Sequence, residues 1–82
     1  MKIEMHNPQR QILKEIDDYR MPQKVVAATY GLILALGQRN EVDWPVVNAA
    51  IVARWSKSGL KRVKELAWKF ATKSGNGMRG AA

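Results

Sequence analysis

The sequence predicts an all-α fold, a small four-helix domain with a central apolar helix and a basic C-terminal helix. Three observations carry that prediction. Apolar residues recur every three or four positions in separate stretches, the spacing that lines them up on one face of a helix. Each stretch is bounded by helix-starting or helix-stopping residues: Asn7-Pro8, Met21-Pro22, Gly37, Asp43 with Pro45, and Ser56 to Gly59. The strand-like alternation of residues 1–6 has no visible partner, and one strand is not a sheet. The 82 residues suit one domain, and an apolar content of 46% is too high for intrinsic disorder. The expected organisation is a flexible arm over residues 1–6, a single helical domain over 7–73, and a disordered tail over 74–82.

The first helix opens at Asn7, whose side-chain oxygen can accept from an early amide, and Pro8 takes the first helical position without losing a bond. Ile12, Leu13, Ile16 and Tyr19 then form one apolar stripe, and Met21-Pro22 closes the helix. The second helix is expected over residues 22–36, with Gly37 as its C-terminal cap. From Val25 onward it is apolar on nearly every side, so it belongs at the centre of the domain. Ala27, Gly31 and Ala35 recur every four residues and make a smooth groove for another helix, or for a second copy of the chain.

Residues 38–42 read as a polar loop. The third helix opens at Asp43 with Pro45 in its first turn, and Val42 and Val47 are spaced for a hydrophobic staple across the cap. Trp44, Val47, Ile51 and Trp55 share a face. Ser56 to Gly59 interrupts the pattern, with either serine able to cap the next helix. That fourth helix is expected over residues 59–73, with Leu60, Val63, Leu66, Ala67, Phe70 and Ala71 turned to the core.

Charge is the most informative feature. The net charge is +7, yet residues 1–50 hold six basic and six acidic residues. Residues 51–82 hold eight basic residues against one acid, Glu65. A one-sided excess of this kind usually meets an anionic partner. Lys57, Lys61, Lys64 and Trp68 fall on one helical face, where ammonium groups can neutralise phosphates and an indole can stack on a base. Arg54 joins them as a further candidate. The bland alternative is a solvated lysine face whose stems cover Trp68. Trp44, Trp55, Trp68 and Tyr30 either all fill the core or leave one or two outside as anchors for a partner.

The third and fourth helices, with Gly59 in the turn between them, resemble a DNA-binding helix–turn–helix in outline. The details depart from it. Trp55 stands four positions before Gly59, where that motif has a small residue, and Arg54 and Glu65 fall at hydrophobic positions. Laid over Ala27 to Gly31, the pattern starts well and fails at Gly37 and Asn40. The run from Asn48 to Lys69 has the general look of small helical proteins encoded by phages and mobile elements, a likeness of style that names no family.

Enzymatic chemistry is not expected. His6 is the lone histidine, in the arm. Asp17 and Asp18 are adjacent and diverge by about 100° on a helix. Glu41 and Asp43 are too few for a cation site, and there is no cysteine. No metal or cofactor is therefore expected. The longest apolar run, about a dozen residues, is shorter than a membrane span. The basic fourth helix has the make-up of an interfacial helix, but its apolar face is needed for the core. The expected function is a cytoplasmic nucleic-acid-binding module, monomer or homodimer, that contacts DNA more than RNA, mainly through phosphates. The alternative is a protein-interaction module, such as a phage-type accessory protein that docks on an acidic host protein.

Overall fold

The structure, a computed structural model, describes residues 7–79, with side chains through residue 72. The expected arm, residues 1–6, and the last three residues of the expected tail lie outside the described residues. Three α-helices carry the described chain: α1 (Pro8–Asp17), α2 (Gln23–Ala35) and α3 (Trp44–Arg79). A single 3-10 turn, Arg39–Glu41, sits between α2 and α3. Among the described residues there is no strand.

The helix starts follow the sequence signals and two of the ends do not, since α1 stops short and α3 runs to Arg79, past the expected end at residue 73. Asn7 Oδ1 accepts from the Arg10 amide at 3.0 Å, and Pro8 is the first helical residue. α1 ends at Asp17, before the expected Met21-Pro22 boundary. That early end removes Tyr19 from the helical stripe, and it stands 85% exposed where a core position was expected. Ile12 and Ile16 remain buried. At the end of α2, Gly37 adopts φ +73°, with its amide on Leu34 O and the Gln38 amide on Ile33 O. This paired closure needs a residue with positive φ, and glycine takes it without steric cost. Val42 and Val47, the expected staple, are both buried.

α2 is the central element, and Val26, Ala27, Tyr30 and Ile33 bury against Val47, Ile51, Val63 and Ala67 of α3. The approach is closest at Gly31. A Cβ on Gly31 would stand 2.7 Å from Ala67 O and 2.9 Å from the Phe70 Cβ. The small-residue groove is thus filled from within the chain at Ala27 and Gly31, and Ala35 is exposed. Phe70, expected in the core, is 43% exposed although its Cβ lies on Gly31.

Where the sequence predicts two helices with a turn at residues 56–59, the structure has one element, α3, broken by one residue. Ser56 has φ 71° and ψ 177°, which no helix contains. The break is a sharp reversal, as two contacts show. The Trp44 ring lies 4.5 Å from that of Tyr30, and Ala67 packs on the adjacent Gly31. In a straight helix Trp44 and Ala67 would be about 34 Å apart, so both can meet one turn of α2 only if α3 folds back. A straight α3 would also be about 54 Å long, and the molecule's longest extent is 40 Å. Neither serine takes the expected capping role; their hydroxyls pair with each other at 3.0 Å.

Gly59 makes the reversal possible. It is buried, and a Cβ there would overlap the Trp55 Cβ. The pairing of Trp55 with Gly59, which departs from the helix–turn–helix pattern, is thus the steric key of this bend. Positive φ with extended ψ costs a non-glycine residue about 1–3 kcal/mol. Ser56→Gly is expected to raise stability by about 1 kcal/mol after the added chain entropy is set against relieved strain. Gly59→Ala is expected to lower it by about 2 kcal/mol or more through overpacking. Urea unfolding followed by circular dichroism checks both; midpoints moving in the same direction would contradict this account of the bend.

Candidate nucleic-acid interface

The residues after Ser56 carry the charge. Val63 and Ala67 face α2 and are fully buried, and Leu60 and Leu66 are half-buried beside them. That packing fixes the roll of this part of α3 and turns Lys57, Lys61 and Lys64 to solvent. With Trp68 they span a helical arc of roughly 60°, about one residue per turn. Trp68 is 63% exposed, so the alternative of an indole covered by lysine stems does not describe it. Among the described residues the one ion pair is Arg20 Nε to Asp18 Oδ1 at 3.2 Å, which leaves these lysines unpaired. Glu65 is exposed at one border of the row, and Arg62 and Lys69 are exposed beyond it.

Arg54 does not join this row. Its guanidinium turns inward, donating from Nη1 to Ile16 O at 3.1 Å and Glu15 O at 3.4 Å, and from Nη2 to Met21 O at 2.7 Å. The last carbonyls of a helix lack partners within it, and a cation there also meets the negative end of the helix dipole. Arg54 therefore closes α1 and binds it to α3, and its carbon Cζ lies 4.2 Å from the centre of the Trp55 ring. The sequence held a signal for this, since Val47, Ile51 and Arg54 succeed one another at core spacing on a helical face.

Several other polar groups serve the fold. The Arg20 amide and guanidinium donate to Asp18 and hold its carboxyl below the usual range. Thr29 Oγ1 donates to Glu15 Oε1 at 2.5 Å and joins α2 to α1. Trp44 Nε1 donates to Arg39 O at 2.8 Å, and burial pushes the Tyr30 phenol above its usual range against the opposing pull of Arg39. Asp43, the expected cap, accepts from the Val46 and Val47 amides through its carbonyl, each at 3.1 Å. Its own amide donates to Gln9 Oε1 at 2.8 Å. Among the described residues no group of three or more His, Cys, Asp or Glu side chains is placed to hold a metal ion. No helix there is long and apolar enough to cross a membrane.

Arg54→Met should keep the stem packing and lose all three carbonyl bonds. The expected cost is about 2 kcal/mol of stability, read as a lower thermal midpoint. Nucleic-acid affinity at a temperature where both proteins are folded should be unchanged; a loss of affinity there would return Arg54 to the binding face.

Comparison with protein families, curated proteins and solved structures gives no match, so the lysine row and its indole are read from their own chemistry.

Proposed function

We propose that this protein is a nucleic-acid-binding module, not an enzyme, that grips phosphates with Lys57, Lys61 and Lys64. In this reading the part of α3 beyond Ser56 acts as a fourth, basic helix, and the rest of the molecule is the scaffold that holds it. The observation that carries the proposal is one row of exposed lysines free of ion pairs and aligned with an exposed indole. Unpaired ammonium groups on a rigid helix repel one another, and a polyanion relieves that repulsion while releasing its own counterions. Contacts of this kind read the backbone more than base identity. DNA in a cytoplasmic setting is the first ligand to test.

A second reading, an acidic protein partner, is favoured by the exposure of Trp68 beside Phe70, since large aromatics are frequent interface anchors. The two differ in their response to salt and to duplex DNA. With Arg54 inside the fold, three lysines remain in the row, and they neutralise about three phosphates. The affinity for duplex should then fall with salt at a log–log slope of about −2.7, roughly 40-fold between 50 and 200 mM. Fluorescence anisotropy of a labelled duplex measures this. The combined substitution Lys57→Gln, Lys61→Gln and Lys64→Gln should abolish most of the slope and weaken all sequences alike. An unaltered slope in that folded variant would refute the lysine row as the binding surface, and absence of binding to duplex and single strands alike at 50 mM would favour the protein partner.

A further inference from the structure

We infer that the lysine row and Trp68 form a track for single-stranded nucleic acid, in which Trp68 stacks on an unpaired base. The inference rests on the phosphate-binding reading above and goes further by naming the form of the ligand. Two features of the surface argue for a single strand.

The first is the indole. Trp68 is 63% exposed on the same narrow arc as Lys61 and Lys64, one turn beyond Lys64. A helix that only tracks duplex phosphates has no use for a bare indole there, since paired bases bury their π-faces against one another. Opening a base step to admit an aromatic wedge breaks stacking that the duplex otherwise keeps. An unpaired base offers its face at little cost, and stacking on an aromatic side chain is tolerant of sequence.

The second is the width of the row. Lys57, Lys61 and Lys64 make a single file along one side of the helix. One flank of that file is the buried seam with Leu60, Val63 and Ala67, and on the other the carboxylate of Glu65 separates it from the exposed Arg62 and Lys69. A single file with an aromatic at its end suits one flexible strand laid along the helix, its phosphates on the lysines and one base turned onto Trp68.

The test compares anisotropy of three labelled probes of equal length, oligo-dT, oligo-U and a duplex, at one low salt concentration. The wild-type protein is set beside Trp68→Ala, Trp68→Phe and the triple lysine-to-glutamine variant, each checked for helical content. Because Trp68 is largely exposed, its replacement should leave the fold intact. Trp68→Ala is expected to weaken oligo-dT and oligo-U binding by roughly tenfold or more and duplex binding by less than twofold, while Trp68→Phe keeps most of the single-strand affinity. The ratio of oligo-U to oligo-dT affinity separates RNA from DNA as the source of the strand. Duplex binding as tight as single-strand binding, or equal losses on all probes in Trp68→Ala, would overturn the inference and leave the lysine row standing. Failure of the triple lysine variant to weaken any probe would remove the underlying reading itself, as would a wild-type protein that binds none of them.

Discussion

The close passage of α2 and α3 at Gly31 governs the architecture. The Ala67 carbonyl occupies space that a side chain on Gly31 would need. Backbones this near require a residue without a Cβ, and contact at this range excludes water and gains dispersion along both helices. Tyr30, the preceding residue, holds the ring of Trp44 at the other end of α3's buried run. One turn of α2 therefore anchors both limbs of α3, and the reversal at Ser56 arises from that demand. The outward aim of the lysines has the same origin, because the side of the helix that carries Val63 and Ala67 is already committed.

Local signals were the legible part of the fold. The Asn7 cap, the Gly37 closure and the Val42–Val47 staple depend on a few neighbouring residues, and each was readable from residue types at fixed spacing. The apolar stretch at the centre of the domain was equally clear. What failed was placement that depends on the rest of the molecule. Tyr19 looked like one more step of the stripe, but α1 ends two residues earlier, where Arg54, thirty-odd positions along the chain, donates to the Glu15 and Ile16 carbonyls. The Ser56 to Gly59 interruption was visible, yet its compression to one strained residue was not, because a serine at positive φ has no signature in sequence.

The basic surface was legible in part for the same reason. Counting charge located the excess in the last third of the chain, and helical spacing aligned Lys57, Lys61, Lys64 and Trp68. Charge counting could not tell that Arg54 is spent inside, although its spacing after Val47 and Ile51 held a signal for it. The difference is chemical as well as positional. A guanidinium presents several donors in a rigid plane and is less strongly hydrated than an ammonium, so it suits a cluster of fixed carbonyls at a helix end. Lysines on flexible stems remain with solvent and with whatever anion approaches.

The three indoles occupy three different surroundings. Trp44 packs at a tilt on Tyr30 and is bonded to a carbonyl, Trp55 lies beneath the Arg54 guanidinium at the bend, and Trp68 faces water. Their emission should differ accordingly, the first two, half-buried, less open to a dissolved quencher than the third. The chain thus carries its own optical labels. Loss of the shielded signal reports the packing of α2 against the start of α3 or the integrity of the bend, and in the proposed reading a change in the open one reports occupancy of the lysine row, with no dye attached.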